Sequence, residues 1–179
     1  IRQLRPTESS QMSALVRAVR LDVEEEFTKV LHRNKKTKLE SFTEKMVQLF
    51  FTKLDHALLA QILHQQGTKK PLKDSPRHMQ VAREHSETSL TIIEAVHALS
   101  TQSNWASWRW QLLGSFPWRA MKLVFLQLGN CEWTPLSERA WILAKAVISK
   151  LPDEIRMDPA WPSLCCIMNN AAQHREKEM

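Results

Sequence analysis

Glycine is scarce in this sequence: only Gly67, Gly114 and Gly129 occur among 179 residues. The Walker loop and the G-x-G-x-x-G motif of nucleotide-binding enzymes both need glycines a few positions apart. Here the glycines are 47 and 15 residues apart, so neither motif can occur. Each glycine instead follows a stretch with helical periodicity, which is typical of residues that end helices.

Cysteines are few, and long apolar runs are missing. Cys131, Cys165 and Cys166 are too few for a disulfide framework and lack C-x-x-C spacing, which favours a reducing compartment. No apolar run approaches the roughly 20 residues of a membrane-spanning helix, so we expect no membrane insertion. The segment 1–20 carries four arginines against one acid, which resembles the end of a transit peptide and points to the mitochondrial matrix.

Patterns for catalysis and metal binding are also lacking. No G-x-S-x-G nucleophile motif occurs. Glu94 and His97 form an E-x-x-H pair, but a di-iron bundle needs two such pairs and further glutamates. Cys165 and Cys166 would point about 100° apart on a helix, so with His174 they suit zinc poorly, and we expect small buried apolar residues there. The sequence therefore predicts no enzyme activity, no cofactor, no metal and no small-molecule substrate.

Helical periodicity dominates what is present. Apolar residues recur at spacings of three and four along most of the chain, and no stretch alternates convincingly at a period of two. We predict an all-α fold of antiparallel helical hairpins, with two long N-terminal helices followed by an array of shorter, tryptophan-rich helices. The expected regions are a long-helix bundle at 1–101 and a short-helix array at 102–179, and the two could also form one continuous domain. Helices are expected at about 12–31, 39–66, 76–101, 104–113, 117–128, 135–150 and 159–175.

Several helix starts are marked by a capping oxygen placed before a proline. Ser75, Thr134 and Asp158 each precede a proline, whose fixed φ suits the first helical position. A break is also expected near Ser86 to Ser89, within the third helix.

The first two helices are expected to face each other through apolar stripes. One stripe is Val19, Val23 and Phe27, and the other includes Phe50 with Met46 and Leu54. The second helix carries a broad apolar arc, so both of its flanks should be covered. If Phe50 is fully buried, its truncation to alanine should cost about 3–5 kcal/mol.

All seven tryptophans lie between residues 104 and 161, and the first 103 residues contain none. Trp108 and Trp118, beside Arg109, Arg119 and Lys122, could form a stacking and cation–π surface for bases. Alternatively, the indoles anchor helix pairs in a core, which agrees with the general burial preference of aromatic side chains.

A net charge of +6 and a pI near 9.4 favour a polyanionic partner such as RNA. Two basic segments flank the second long helix and would lie about 40 Å apart if that helix is straight. They are candidates for phosphate contacts or, alternatively, simple solvated turns. The candidate residues in them are Arg33, Lys35, Lys36, Lys38, Lys69, Lys70 and Lys73.

The run from Leu112 to Val124, LLGSFPWRAMKLV, contains a glycine gap that leads into an Ala-x-x-Leu helix. This run resembles the helix–turn–helix core of pentatricopeptide repeats. Trp110 and Trp141 lie 31 residues apart, and a second unit could begin at Arg139. The resemblance covers about residues 104–150 and implies a degenerate helical-repeat protein of the mitochondrial RNA-processing or ribosome-associated type.

These observations lead to one principal functional hypothesis and one alternative. The principal hypothesis is a non-catalytic helical scaffold or RNA-associated subunit of a larger ribonucleoprotein assembly, with other protein subunits as partners. The alternative is a protein-interaction module or structural subunit that makes no contact with RNA.

Overall fold

The structure is a computed structural model that describes residues 6–31, 37–67, 76–108, 110–113 and 116–178. Within these ranges it contains α-helices and one 3₁₀ helix, Ser103–Trp108, and no strand, which confirms the all-α prediction. The α-helices are α1 (Pro6–Leu31), α2 (Lys38–Gly67), α3 (Pro76–Thr101), α4 (Trp110–Leu113), α5 (Trp118–Leu128), α6 (Pro135–Ser149), α7 (Asp153–Arg156) and α8 (Trp161–Glu178).

The sequence signals located several helix ends well. Thr134 is the N-cap of α6, and its hydroxyl accepts a hydrogen bond from the backbone N–H of Ser137 at 3.2 Å. Gly129 caps the C-terminus of α5 as expected, although with φ at −85° it stays in the right-handed region. Asp158 instead caps a turn, because its carboxylate accepts from Ala160 N–H and α8 begins only at Trp161.

The helix pattern differs from prediction in several places, and α1 begins at Pro6 rather than near residue 12. The expected break near Ser86 to Ser89 is absent, since α3 runs unbroken from Pro76 to Thr101. The expected helix at 104–113 is a 3₁₀ helix followed by the short helix α4, and the short helix α7 was not anticipated.

The chain divides into two compact units, Ile1–Thr88 and Ser89–Met179, with the boundary inside α3. The compositional regions 1–101 and 102–179 and the antiparallel hairpin arrangement stay predictions.

In the first unit, α1 packs against α2. Arg20 of α1 contacts two residues of α2. Its guanidinium lies 3.3 Å from the carboxylate of Asp55 and 5.9 Å from the ring centre of Phe51. Phe42, Leu49 and Phe51 of α2 are buried.

The apolar stripe predicted for α2 was wrong at Phe50, whereas Met46 and Leu54 are half-buried. Phe50 is 58% exposed, whereas its neighbour Phe51 is only 4% exposed, and Val19 of α1 is exposed as well. Successive helical residues are about 100° apart, so Leu49 and Phe51 point in nearly opposite directions. The sides of α2 that carry Leu49 and Phe51 are therefore both buried, as its broad apolar arc indicated. Phe50 lies between these two sides and is exposed.

A histidine pair lies inside the first unit. The rings of His56 on α2 and His85 on α3 have centres 4.2 Å apart and planes inclined by 34°. His56 is buried, and burial lowers the pKa of His85. Asp55 and Glu84 are the sequence neighbours of these histidines, but such local pairs say nothing about a contact between His56 and His85. That contact forms only when α3 packs beside α2.

The His85 environment should make the first unit sensitive to acid. The folded pKa of His85 lies below the ordinary value, so the unfolded chain takes up this proton first as the pH falls. The stabilisation is therefore complete above about pH 6.5 and is lost below it. We expect the thermal midpoint to fall between about pH 7.5 and about pH 5.5, and this fall to be smaller in His85→Gln.

Far-UV circular dichroism across this pH range measures the effect. His64→Gln is the matched control, because His64 is an exposed histidine of α2. An unchanged acid sensitivity in His85→Gln would show that other groups cause it.

In the second unit, α5 packs against α8 and α6. Its buried face includes Met121, Val124 and Phe125, and α8 contributes Leu164 to the same interior. The ring of Phe125 meets that of Trp141 on α6 edge to face, with centres 5.7 Å apart. This apolar contact joins α5 to α6 in the middle of the unit.

Candidate functional site

The seven tryptophans occupy very different environments in the second unit. Trp105 is buried, and Trp110 is 65% exposed. The remaining five are half-buried: Trp108, Trp118, Trp133, Trp141 and Trp161. The tryptophan-rich segment therefore contributes both to the core and to the surface.

Three of the residues proposed to form the stacking surface for bases lie on one side of α5. Arg119 is exposed, and Trp118 and Lys122 are half-buried. The ring of Trp118 meets that of Phe116 edge to face, with centres 4.6 Å apart. Trp118, Arg119 and Lys122 fall within about 100° of the helix circumference, so they can act on one ligand.

The other predicted nucleic-acid contacts are distributed as follows. Trp108 is half-buried at the end of the 3₁₀ helix, and Lys38 is exposed at the first residue of α2. The remaining candidates lie outside the described residues: Arg33, Lys35, Lys36, Lys69, Lys70, Lys73 and Arg109. A cation does lie over an indole in the second unit, but it is Lys145, whose Nζ is 5.6 Å from the ring centre of Trp141.

A polar cluster joins α6 to α8. The guanidinium of Arg175 donates two hydrogen bonds of 2.8 Å, one to each carboxylate oxygen of Glu138, and Trp133 Nε1 donates to the same carboxylate at 3.0 Å. The hydrogen bonds from Arg175, and then that from Trp133, lower the pKa of Glu138. In turn, Glu138 raises the pKa of Arg175. The charges of Glu138 and Arg175 neutralise each other within the protein, so the role of the cluster is to hold α6 and α8 together.

The cysteines are more accessible than the sequence analysis expected. Cys166 is exposed and Cys165 is half-buried, so the expectation of small buried residues at these two positions was wrong; Cys131 is exposed as well. The cause at Cys165 and Cys166 is the position of α8, which buries Leu164 and Ala171 and places these two cysteines off that buried face. Nε2 of His174 lies 2.8 Å from the backbone oxygen of Cys131, not beside the other two cysteines.

The Glu94 and His97 pair lines a shallow groove between α3 and α6. This groove has a volume of about 580 Å³, and Glu94 lies 3.5 Å from the guanidinium of Arg139. Ile142 of α6, an exposed residue, lines the groove with Leu143. Across the described part of the chain, no three His, Cys, Asp or Glu side chains converge as a metal site would require.

A second, more enclosed pocket lies at the end of α6. It has a volume of about 520 Å³, and its lining includes Trp110, Phe116 and Lys150. Neither Trp110 nor Lys150 was predicted as a site residue from the sequence. The spacing of Trp108 and Trp110 could have indicated that one of them is exposed. On the single helix predicted for 104–113, residues two apart point about 200° apart and rarely share one buried face.

None of the described helices is both long enough and apolar enough to cross a membrane.

Comparison with known proteins gives no relative: no family model, no curated protein and no solved structure matches the chain.

Proposed function

We propose that this chain is a non-catalytic helical subunit of a larger assembly, and that the groove between α3 and α6 is a surface through which it binds another protein. One observation carries the proposal: Ile142 is 59% exposed in a groove whose border is charged. Ile142, Leu143 and Ala146 form an apolar centre, and Glu94 and Arg139 stand at the edge. An apolar centre with a polar rim is the usual anatomy of a protein interface.

RNA enters the proposal as a component of the same assembly. Arg119 and Lys122, which share one side of α5 with Trp118, are suited to phosphate and base contacts. The net charge of +6 supports such a partner, as does the resemblance of residues 104–150 to pentatricopeptide repeats. These features extend the proposal to a ribonucleoprotein assembly in the mitochondrial matrix.

Replacement of Ile142 by aspartate should release the partner without unfolding the chain. An added carboxylate at the apolar centre would have to be desolvated on binding, which we expect to weaken association by roughly 2 kcal/mol or more. Because the side chain is exposed in the free protein, the thermal midpoint should change little.

The measurement is quantitative affinity purification of the tagged chain, with and without ribonuclease digestion. Leu126→Asp is the matched control, since Leu126 is another exposed apolar helix residue of the second unit. Proteins recovered with the parent and with Leu126→Asp should be lost with Ile142→Asp. If ribonuclease removes them from the parent, RNA bridges the assembly. Equal recovery with Ile142→Asp contradicts the proposed surface.

A further inference from the structure

We propose that the pocket at the end of α6 binds a small apolar molecule that carries one carboxylate, with the apolar body against Trp110 and the carboxylate at Lys150. This ligand site is separate from the interaction groove and does not depend on the proposed function. The sequence predicts no small-molecule substrate, and this pocket binds its ligand without chemistry.

The pocket has the size and the walls of a ligand site. Its volume of about 520 Å³ falls within the range of roughly 300–1,000 Å³ that is typical of small-molecule pockets. Leu112, Val147 and Ile155 are buried residues that form its apolar interior, and Phe116 adds an aromatic wall. A pocket of this size is larger than one apolar side chain needs, which favours a whole small molecule as occupant.

Trp110 identifies the open side of the pocket. Trp110 is 65% exposed although it lines an apolar space. A tryptophan side chain can bury on the order of 150–250 Å² when it is covered. A ligand in the pocket would therefore remove from water a large apolar surface that the protein itself leaves uncovered.

Several backbone carbonyl groups near the pocket already accept hydrogen bonds from the protein itself. The hydroxyl of Ser100 donates to the carbonyl oxygen of His97 at 2.9 Å. At the end of α6, the carbonyl oxygen of Val147 accepts from Lys150 N–H, and that of Ile148 accepts from Leu151 N–H. These carbonyl groups already have partners, so the interior suits a hydrocarbon body.

The charge of the residues that line the pocket indicates which charge the ligand should carry. Among the described residues that line the pocket, Lys150 is the only one with a charged side chain. Asp153, the nearest acid along the chain, lies 3.5 Å from the guanidinium of Arg156. The C-terminus of α6 contributes a partial negative charge of about half a unit, which the ammonium of Lys150 exceeds. One anionic group on the ligand is therefore favoured.

The test is calorimetric titration of the full chain with decanoate and with decanol, both below the concentrations at which they aggregate. We expect saturable binding of one decanoate per chain, about two- to fivefold tighter than decanol, as an exposed ion pair provides. Lys150→Gln should abolish this preference, and Trp110→Ala should weaken both ligands about tenfold. Leu136→Ala is the matched control, because Leu136 is also exposed and apolar but lies outside the pocket.

Acrylamide quenching gives a second readout that does not depend on the alanine variant. Decanoate should reduce quenching in the parent, and this protection should be absent from Trp110→Phe. The proposal is overturned by the absence of saturable decanoate binding, by equal affinity of the parent for decanoate and decanol, or by parental affinity in Trp110→Ala.

Discussion

Phe51→Ala is expected to destabilise the protein by about 3–5 kcal/mol, whereas Phe50→Ala should cost about 1 kcal/mol or less. The two residues are adjacent, chemically identical and on the same helix, so they form a matched pair. Phe51 is buried and its ring lies under the guanidinium of Arg20, and both features are lost on truncation. Phe50 is largely in water, and its main loss is the edge-to-face contact with Phe51, with ring centres 5.7 Å apart.

Chemical denaturation followed by far-UV circular dichroism measures both free energies of unfolding. The midpoint should move strongly for Phe51→Ala and little for Phe50→Ala, with similar slopes for both. The reverse order would restore the apolar stripe of Met46, Phe50 and Leu54 that the sequence predicts. Comparable large losses for both would instead show that the outer side of α2 is also covered.

Phe125→Ala is expected to be equally damaging in the second unit, again by about 3–5 kcal/mol. Phe125 is fully buried on α5 and touches Trp141 of α6, so its removal leaves a cavity in the middle of the unit. Leu126→Ala is the control, because Leu126 is the next residue of the same helix and is 45% exposed. Its truncation should cost about 1 kcal/mol or less.

Tryptophan emission is the appropriate measurement here, because all seven indoles belong to the second unit. The denaturation midpoint from this emission should fall for Phe125→Ala and stay near the parental value for Leu126→Ala. A small effect of Phe125→Ala would mean that α5 and α6 can close over the missing ring, and would falsify the expectation that a cavity remains.

The tryptophans show how far the sequence could anticipate the candidate sites. Their concentration after residue 103 indicated a distinct aromatic region, and the two interpretations of stacking surface and core anchor each remained possible. Trp105 is in the core, while Trp110 stands at the mouth of a pocket. Composition cannot separate these outcomes, because exposure of an indole depends on which other helices cover it.

Contacts between residues far apart in the sequence were even less accessible to sequence reasoning. Glu138 and Arg175 are 37 residues apart, and the histidines at 56 and 85 are 29 apart. No local spacing rule relates positions so distant along the chain. Their contacts arise only when separate helices pack, and the same holds for Lys150 and Trp110 at the pocket.

The sequence by itself determined the all-α class, the absence of glycine-rich phosphate loops and most helix ends, because periodicity, proline placement and capping oxygens act within a few residues. Only the tertiary structure decided which side of each helix is buried. Helical spacing assigns each side chain an angle around its own axis, but burial also depends on how many neighbours the helix has. Phe50 and Phe51 differ for this reason, since α2 is covered on two sides and exposed between them.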